Sequence, residues 1–220
     1  MTEPALAFSS LPTSGPVETR RVPLSRELWD IDWREELPHV LADDGIVVDA
    51  CDFSEVVPFI AANYPGIFGY ESRPSRFLAG GTSAARRRYY EAVGDCFVFR
   101  DGLETAGVLI CTPVDWGTYY IRSTALLPEY QGRGLVQRFF PRLFERLRAA
   151  GVERVEAETA PSNFASLQIL LRSRFSVTGT VLSERWGALV RLTRFLDGAA
   201  GEVFLDQFCD GLQRGAPAPR

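Results

Sequence analysis

The stretch Leu126-Leu127-Pro128-Glu129-Tyr130-Gln131-Gly132-Arg133-Gly134-Leu135-Val136-Gln137-Arg138-Phe139-Phe140 decides how the rest of the chain is read. Before it, residues 119–127 form an apolar and β-branched run with strand character. After it, Leu135, Val136, Phe139, Phe140, Leu143, Phe144 and Leu147 recur at spacings of three and four, which is one face of a helix. Between them lies a loop with two glycines. A strand, a glycine loop and a helix start together make an anion site. First-turn N–H groups have no partner within the helix, the helix dipole adds partial positive charge, and glycines let a phosphate approach the backbone. The stretch reads as a pyrophosphate cradle.

The cradle is not that of a nucleoside triphosphate, which needs a lysine after the last glycine, because the chain contains no lysine. It also lacks the G-x-G-x-x-G of a dinucleotide fold. It does resemble the Q/R-x-x-G-x-G/A signature of the GCN5-related N-acetyltransferases, which holds the pyrophosphate of coenzyme A. Gln131 takes the first place and Gly134 the fourth, while Val136 stands where glycine or alanine is usual. Residues 152–159 then alternate like a half-buried strand, and Pro161-Ser162-Asn163 leads into a helix over residues 164–172. Asn163, Ser166 and Phe175 reproduce the family's N-x-x-A/S…F spacing, and the resemblance covers residues 97–196.

The resemblance implies an α/β (α+β) fold. It has a mixed, mostly antiparallel central sheet, splayed between its fourth and fifth strands, with flanking helices. Residues 45–52 read as the first strand, with Ser54 capping a helix over residues 55–63. Runs at 96–100, 106–111 and 119–127 read as three antiparallel strands, with Asp101-Gly102 as a turn, and residues 176–183 and 188–196 as a closing hairpin. On the same resemblance, backbone groups of Ala125, Leu126 and Leu127 pair with the pantetheine arm and polarise the thioester carbonyl. Gln131, Gly132, Arg133, Gly134, Leu135 and Val136 form the cradle, and Asn163 and Ser166 complete the cofactor site. Arg133 and Arg138 lie near enough to meet a coenzyme A phosphate.

The implied activity is acyl transfer from acetyl-CoA, or another acyl-CoA, to a primary amine on a small molecule or peptide. A longer acyl chain, a carrier-protein donor and a non-catalytic coenzyme A sensor or scaffold remain alternatives. Many relatives use a tyrosine seven residues after the asparagine as the acid; here that position is Leu170, and Arg174 replaces the glycine before Phe175. Tyr119, Tyr120 or Ser123 can substitute, or the thiolate leaves unaided. For the base, Glu156 and Glu158 share one side of a regular strand. Glu158, nearer the splay, is the first candidate and Glu129 the second. Glu158, Glu129 and Tyr120 are therefore the catalytic candidates.

Composition narrows the alternatives. The 220 residues are 46% hydrophobic, enough for one sizeable core, and carry a net charge of -4, so no nucleic-acid partner is expected. All 24 basic residues are arginine, which excludes Schiff-base chemistry. The single histidine, His39, reads as a surface residue. Cys51, Cys96, Cys111 and Cys209 lack metal-ligand spacing, so no metal is expected, and Cys96 and Cys111 read as core residues. With no signal or membrane-span pattern, the expectation is a cytoplasmic protein without a membrane partner, as a monomer or homodimer.

Three segments are expected. Residues 1–44 form a partly mobile N-terminal extension, in which Trp29, Trp33 and Leu37 outline an amphipathic helix over residues 24–44 that docks on the domain or on a partner. Residues 45–196 form the catalytic domain, and residues 197–220 a tail with a short helix over 203–208. Within the domain, residues 64–94 correspond to the region that walls the acceptor site in relatives. Its run Arg86-Arg87-Arg88 reads as an exposed helix face or an anion contact. Pro141 predicts a kink or a later start in the helix after the cradle.

Overall fold

A computed structural model describes residues 31–42, 44–68, 84–183 and 186–209. The expected mobile start, Trp29, residues 69–83 of the region expected to wall the acceptor site, and residues 210–220 lie outside these. Eight strands form one sheet: β1 (His39–Val40), β2 (Val47–Cys51), β3 (Asp95–Asp101), β4 (Glu104–Pro113), β5 (Thr118–Leu126), β6 (Arg154–Thr159), β7 (Ser176–Ser183) and β8 (Gly187–Phe195). Their order is β1-β2-β3-β4-β5-β6-β8-β7. Every pairing is antiparallel except β5 with β6. The helices are α1 (Phe53–Phe68), α2 (Ala84–Val93), α3 (Leu135–Ala149), α4 (Phe164–Arg172) and α5 (Gly198–Phe204). The α/β class and the mixed, mostly antiparallel sheet are as expected. Among the described residues, no helix is long and apolar enough to cross a membrane.

Strand alternation gives the sheet two apolar faces, and each has its own core. Phe97, Phe99, Leu109, Cys111, Tyr119, Ile121, Val155, Ala157 and Leu192 share one core with α3, Leu170 and Phe175. Cys96, Val108, Ile110 and Ala125 face the other way, onto Val56 and Phe59 of α1. The seven apolar residues that predicted a helix after the cradle are the seven that α3 buries. That helix runs through the exposed Pro141 without starting late. α1 begins before Ser54, and its first turn is closed instead by the Glu55 carboxylate, which accepts the Asp52 N–H at 3.2 Å.

The N-terminal segment departs from expectation. Residues 33–35 make a single 3-10 turn rather than part of a helix, and β1 follows. The reason is Pro38, which offers no N–H to a helix and disfavours helical geometry at Leu37. The apolar residues still find the core. Ile31, Trp33, Leu37 and Leu41 are buried with the α3 side chains, and Trp33 meets Phe97 edge-on at 4.9 Å.

A row of arginines on the outer side of α3 holds this segment down. Arg146 pairs with Glu35 and Glu36, each at 3.5 Å, and Arg142 donates to the Glu36 carbonyl at 3.3 Å. Arg138 reaches the Ala42 carbonyl and the Asp44 carboxylate. These side chains thus form a ladder along a strap. Each such surface pair contributes little singly, but the spacing of four aligns them all.

Gly107 in β4 sets the packing of β5. A Cβ there would lie 2.3 Å from Leu126 Cδ2 and 2.6 Å from the Ala125 carbonyl oxygen. The backbone oxygen cannot turn aside, so Gly107→Ala should destabilise the domain by about 1–3 kcal/mol. A denaturant midpoint equal to that of the wild type would contradict this.

Candidate functional site

β5 and β6 run together only briefly. Their parallel ladder covers Thr118↔Arg154 to Ile121↔Ala157 and ends there. Both strands continue: β6 stays on β8 through Glu158↔Arg191 and Thr159↔Val190, while β5 stays on β4 as far as Leu126↔Gly107. A gap therefore opens between residues 122–126 and 158–159. Its cause lies in the β4–β5 register, where Ile110 faces Ser123 but Cys111 faces Ile121. Arg122 is an extra residue, a β-bulge that bends its strand and increases its twist.

The bulge also decides which backbone groups face the gap. The Leu127 N–H donates to the Ala106 carbonyl at 2.9 Å. In an antiparallel ladder, residues alternate between bonding the partner strand and turning away from it. Ala125, like Leu127, is thus spent on β4, and Thr124 and Leu126 present their backbone groups to the gap. Of the three residues expected to meet the pantetheine arm, Leu126 thus turns its backbone to the gap together with Thr124, while Ala125 and Leu127 turn theirs to β4. The Leu126 carbonyl accepts the Gln131 side-chain amide at 2.9 Å, tying the glycine loop back to the strand.

In the loop, Gly132 and Gly134 have φ of 72° and 71°, a left-handed geometry that disfavours other residues. Gly134 opens α3, and no side chain caps that end. The Arg138 N–H is the first to find a partner, the Gly134 carbonyl, so the amides of Leu135, Val136 and Gln137 point out of the helix start. The side chains of Leu135 and Val136 are buried, so both offer amides only. The valine that stands where the family signature has glycine or alanine therefore does not crowd the loop. Arg133 and Arg138 both grip Asp44, Arg133 at 2.7 Å. The strap's carboxylate holds the two guanidinium groups expected to meet a coenzyme A phosphate.

Asn163 caps α4, its side chain accepting the Ser166 N–H at 3.1 Å, which brings together these two cofactor-site candidates. Glu129 is exposed in the turn Pro128–Tyr130 after β5. Tyr119 is fully buried on the α3 face and donates to Asp95 at 2.7 Å, which removes it as a proton donor at the gap. Leu170 is buried in the α3-side core.

The remaining polar candidates lie on the opposite face of the sheet, the α1 side. Val155, Ala157, Leu192, Tyr119 and Ile121 point into the α3-side core. Their neighbours Glu156, Glu158, Arg191 and Tyr120 therefore point toward the α1 side. The bulge then shifts the phase of β5, so that Ser123 and Ala125 join them. Arg191 grips Glu158 Oε1 with Nε at 2.9 Å and Nη2 at 2.7 Å. Tyr120 Oη donates to Glu158 Oε2 across 3.5 Å. Burial, and then the Glu158 charge, push the Tyr120 phenol up to about 12. It stays protonated at neutral pH. Ser123 Oγ lies 2.8 Å from Tyr64 Oη of α1, a contact between residues far apart in sequence. Tyr64 is the first residue of the region expected to wall the acceptor site.

Residues 69–173 match the model of the acetyltransferase (GNAT) family. Solved structures share the fold. Protein yncA of Salmonella typhimurium, with its cofactor acetyl-CoA, is 19% identical and has a TM-score of 0.51, covering 70% of this chain and 95% of that one. The ribosomal-protein-S5-alanine acetyltransferase of Vibrio fischeri is 18% identical with a TM-score of 0.52, covering 70% and 94%. The spermidine N-acetyltransferase of Vibrio cholerae, in complex with CoA and spermine, is 15% identical with a TM-score of 0.52, covering 69% and 95%. No curated protein matches the chain by sequence.

Hydrogen bonds from Arg133, then Arg138, hold the Asp44 carboxyl below its ordinary 3.8. A carboxylate depressed in the folded state stabilises fully above its unfolded value, and that stability is lost as pH falls through the folded one. The melting-temperature difference between wild type and Asp44→Asn should hold steady from about pH 7 to about pH 5 and shrink below about pH 4. A difference that stays constant into strong acid would remove Asp44 as the strap's anchor.

Proposed function

We propose, from the match of residues 69–173 to the acetyltransferase (GNAT) family model, that the chain transfers an acyl group, acetyl by default, from coenzyme A to a primary amine. The observation that carries this reading is the gap. Its edge offers backbone groups of Thr124 and Leu126, one end abuts the left-handed glycine loop and the open start of α3, and one face carries hydroxyl and carboxylate groups.

In this reading the amides of Leu135, Val136 and Gln137 hold the pyrophosphate of the donor. The N–H groups of Thr124 and Leu126 donate to the thioester carbonyl oxygen, where negative charge develops as the amine attacks. The amine lone pair forms the C–N bond, the C–S bond breaks, and its electron pair leaves on sulfur as a thiolate. Glu158, fixed by Arg191, supplies negative charge for the nitrogen as it becomes positive, and its second oxygen takes the released proton directly or through water. Tyr120, protonated, can donate a hydrogen bond but not act as a base.

Leu170 favours a second reading. A buried hydrocarbon at the position where relatives place the acid suits a chain that binds coenzyme A without turning it over. Thiol release in the presence of a panel of primary amines separates the two readings.

Thermal unfolding tests the cofactor site. Coenzyme A or acetyl-CoA at a hundred times its dissociation constant should stabilise the fold by about 2.7 kcal/mol and raise the midpoint by a few degrees. Gly134→Val, which puts a branched side chain at a φ of 71°, should weaken that shift. No shift in the wild type with any acyl form would sink the coenzyme A reading.

A further inference from the structure

Tyr64 lies near the end of α1, and packing rather than solvent sets its position. The ring is partly buried against the α1-side core of Val56, Phe59, Val108, Ile110 and Ala125, and it meets Phe68 at 5.0 Å. Its hydroxyl reaches Ser123 at 2.8 Å. Ser123 follows the bulged Arg122, two residues beyond the end of the β5–β6 ladder, and precedes Thr124, whose backbone faces the gap. Without the bulge, Ser123 would point into the α3-side core, as Tyr119 and Ile121 do. The same irregularity that opens the gap therefore delivers Ser123 to α1. On β6, Glu158 stands one residue beyond Ala157, the last rung of that ladder, and on the same face. Ser123 and Glu158 thus flank the mouth of the gap from its two sides.

The chemistry of this mouth suits a neutral amine. An amine that attacks a carbonyl must keep its lone pair aimed at the carbon and give its N–H groups to something else. Donors or free cations on that surface would compete for the lone pair; acceptors would hold the N–H groups and leave it free. Glu158 is an acceptor, and the nearby Arg191 is already engaged with it. A serine hydroxyl has two lone pairs, so when Tyr64 donates to Ser123 one remains for an incoming N–H.

We propose that Tyr64, acting through Ser123, positions the acceptor amine for attack. Ser123 Oγ accepts an amine N–H, and Tyr64 fixes the serine rotamer and turns its lone pair toward the mouth. This assignment rests on the acyltransferase reading and deepens it by naming the groups that orient the acceptor amine on the α1 face. Tyr64 is a positioning residue in this scheme, and it exchanges no proton with the substrate.

The test is steady-state thiol release from acetyl-CoA by the full chain, with spermidine, tyramine and a peptide with an N-terminal alanine as probe acceptors. The variants are Tyr64→Phe, Ser123→Ala and Ser123→Thr. Tyr64→Phe and Ser123→Ala should each lower kcat/KM for the amine by about 5- to 20-fold, the effect of losing an orienting hydrogen bond. KM for acetyl-CoA and the thermal shift with coenzyme A should stay at wild-type values, and Ser123→Thr, which keeps the hydroxyl, should recover most of the rate. An amine kcat/KM unchanged in Tyr64→Phe overturns the proposal. So does a loss that appears equally in the coenzyme A shift, which would make the pair merely structural. A wild-type chain that shifts with coenzyme A but releases thiol with none of the amines also overturns it. Absence of any coenzyme A shift in the wild type instead brings down the underlying acyltransferase reading.

Discussion

A backbone amide turned away from its sheet without a partner is costly, about 1–3 kcal/mol when water is excluded. Folded chains therefore pair their strands wherever they can. Here β5 and β6 pair for four rungs and then part, while each stays hydrogen-bonded to its other neighbour. The parting is imposed by one extra residue, Arg122. Two features of the gap follow from that constraint: the backbone donors of Thr124 and Leu126 along one edge, and the change of phase that turns Ser123 toward α1. A regular β5 would have closed the gap and buried the hydroxyl.

The rest of the molecule holds the gap's surroundings in place. Gln131 ties the glycine loop to the end of β5, and the seven apolar residues of α3 fix the direction of its N-terminus. On the far side of α3, the arginines at every fourth position bind Glu35, Glu36, the Ala42 carbonyl and Asp44, which lies beside the loop. The N-terminal segment thus belongs to the support of the cradle, through its buried Trp33 and Leu37 and through its carboxylates.

What the sequence makes legible is what depends on local periodicity. The apolar face of α3, the alternation of β6, the two glycines and the asparagine cap of α4 are each written within a dozen residues, and each is found in place. The features that escape it depend on register or on distant partners. The bulge exists only in the relation of Ile110 and Cys111 to Ser123 and Ile121. Tyr64 acquires meaning only beside Ser123, and Arg138 only beside Asp44. The Trp33–Leu37 spacing misleads because two apolar residues four apart fit a helix, while Pro38 in the same segment forbids one. Tyr119 and Tyr120 are equivalent in sequence, yet the strand sends the first into the core against Asp95 and the second toward Glu158.

Amide hydrogen exchange with and without acetyl-CoA tests the gap directly. New protection should be confined to Thr124 and Leu126 at the strand edge and to Leu135, Val136 and Gln137 at the start of α3, with Ala125 and Leu127 already protected by β4 and unchanged. Protection that falls on Ala125 and Leu127, or that leaves the β5 edge untouched while the protein is saturated, would contradict the gap between β5 and β6 as the seat of the thioester.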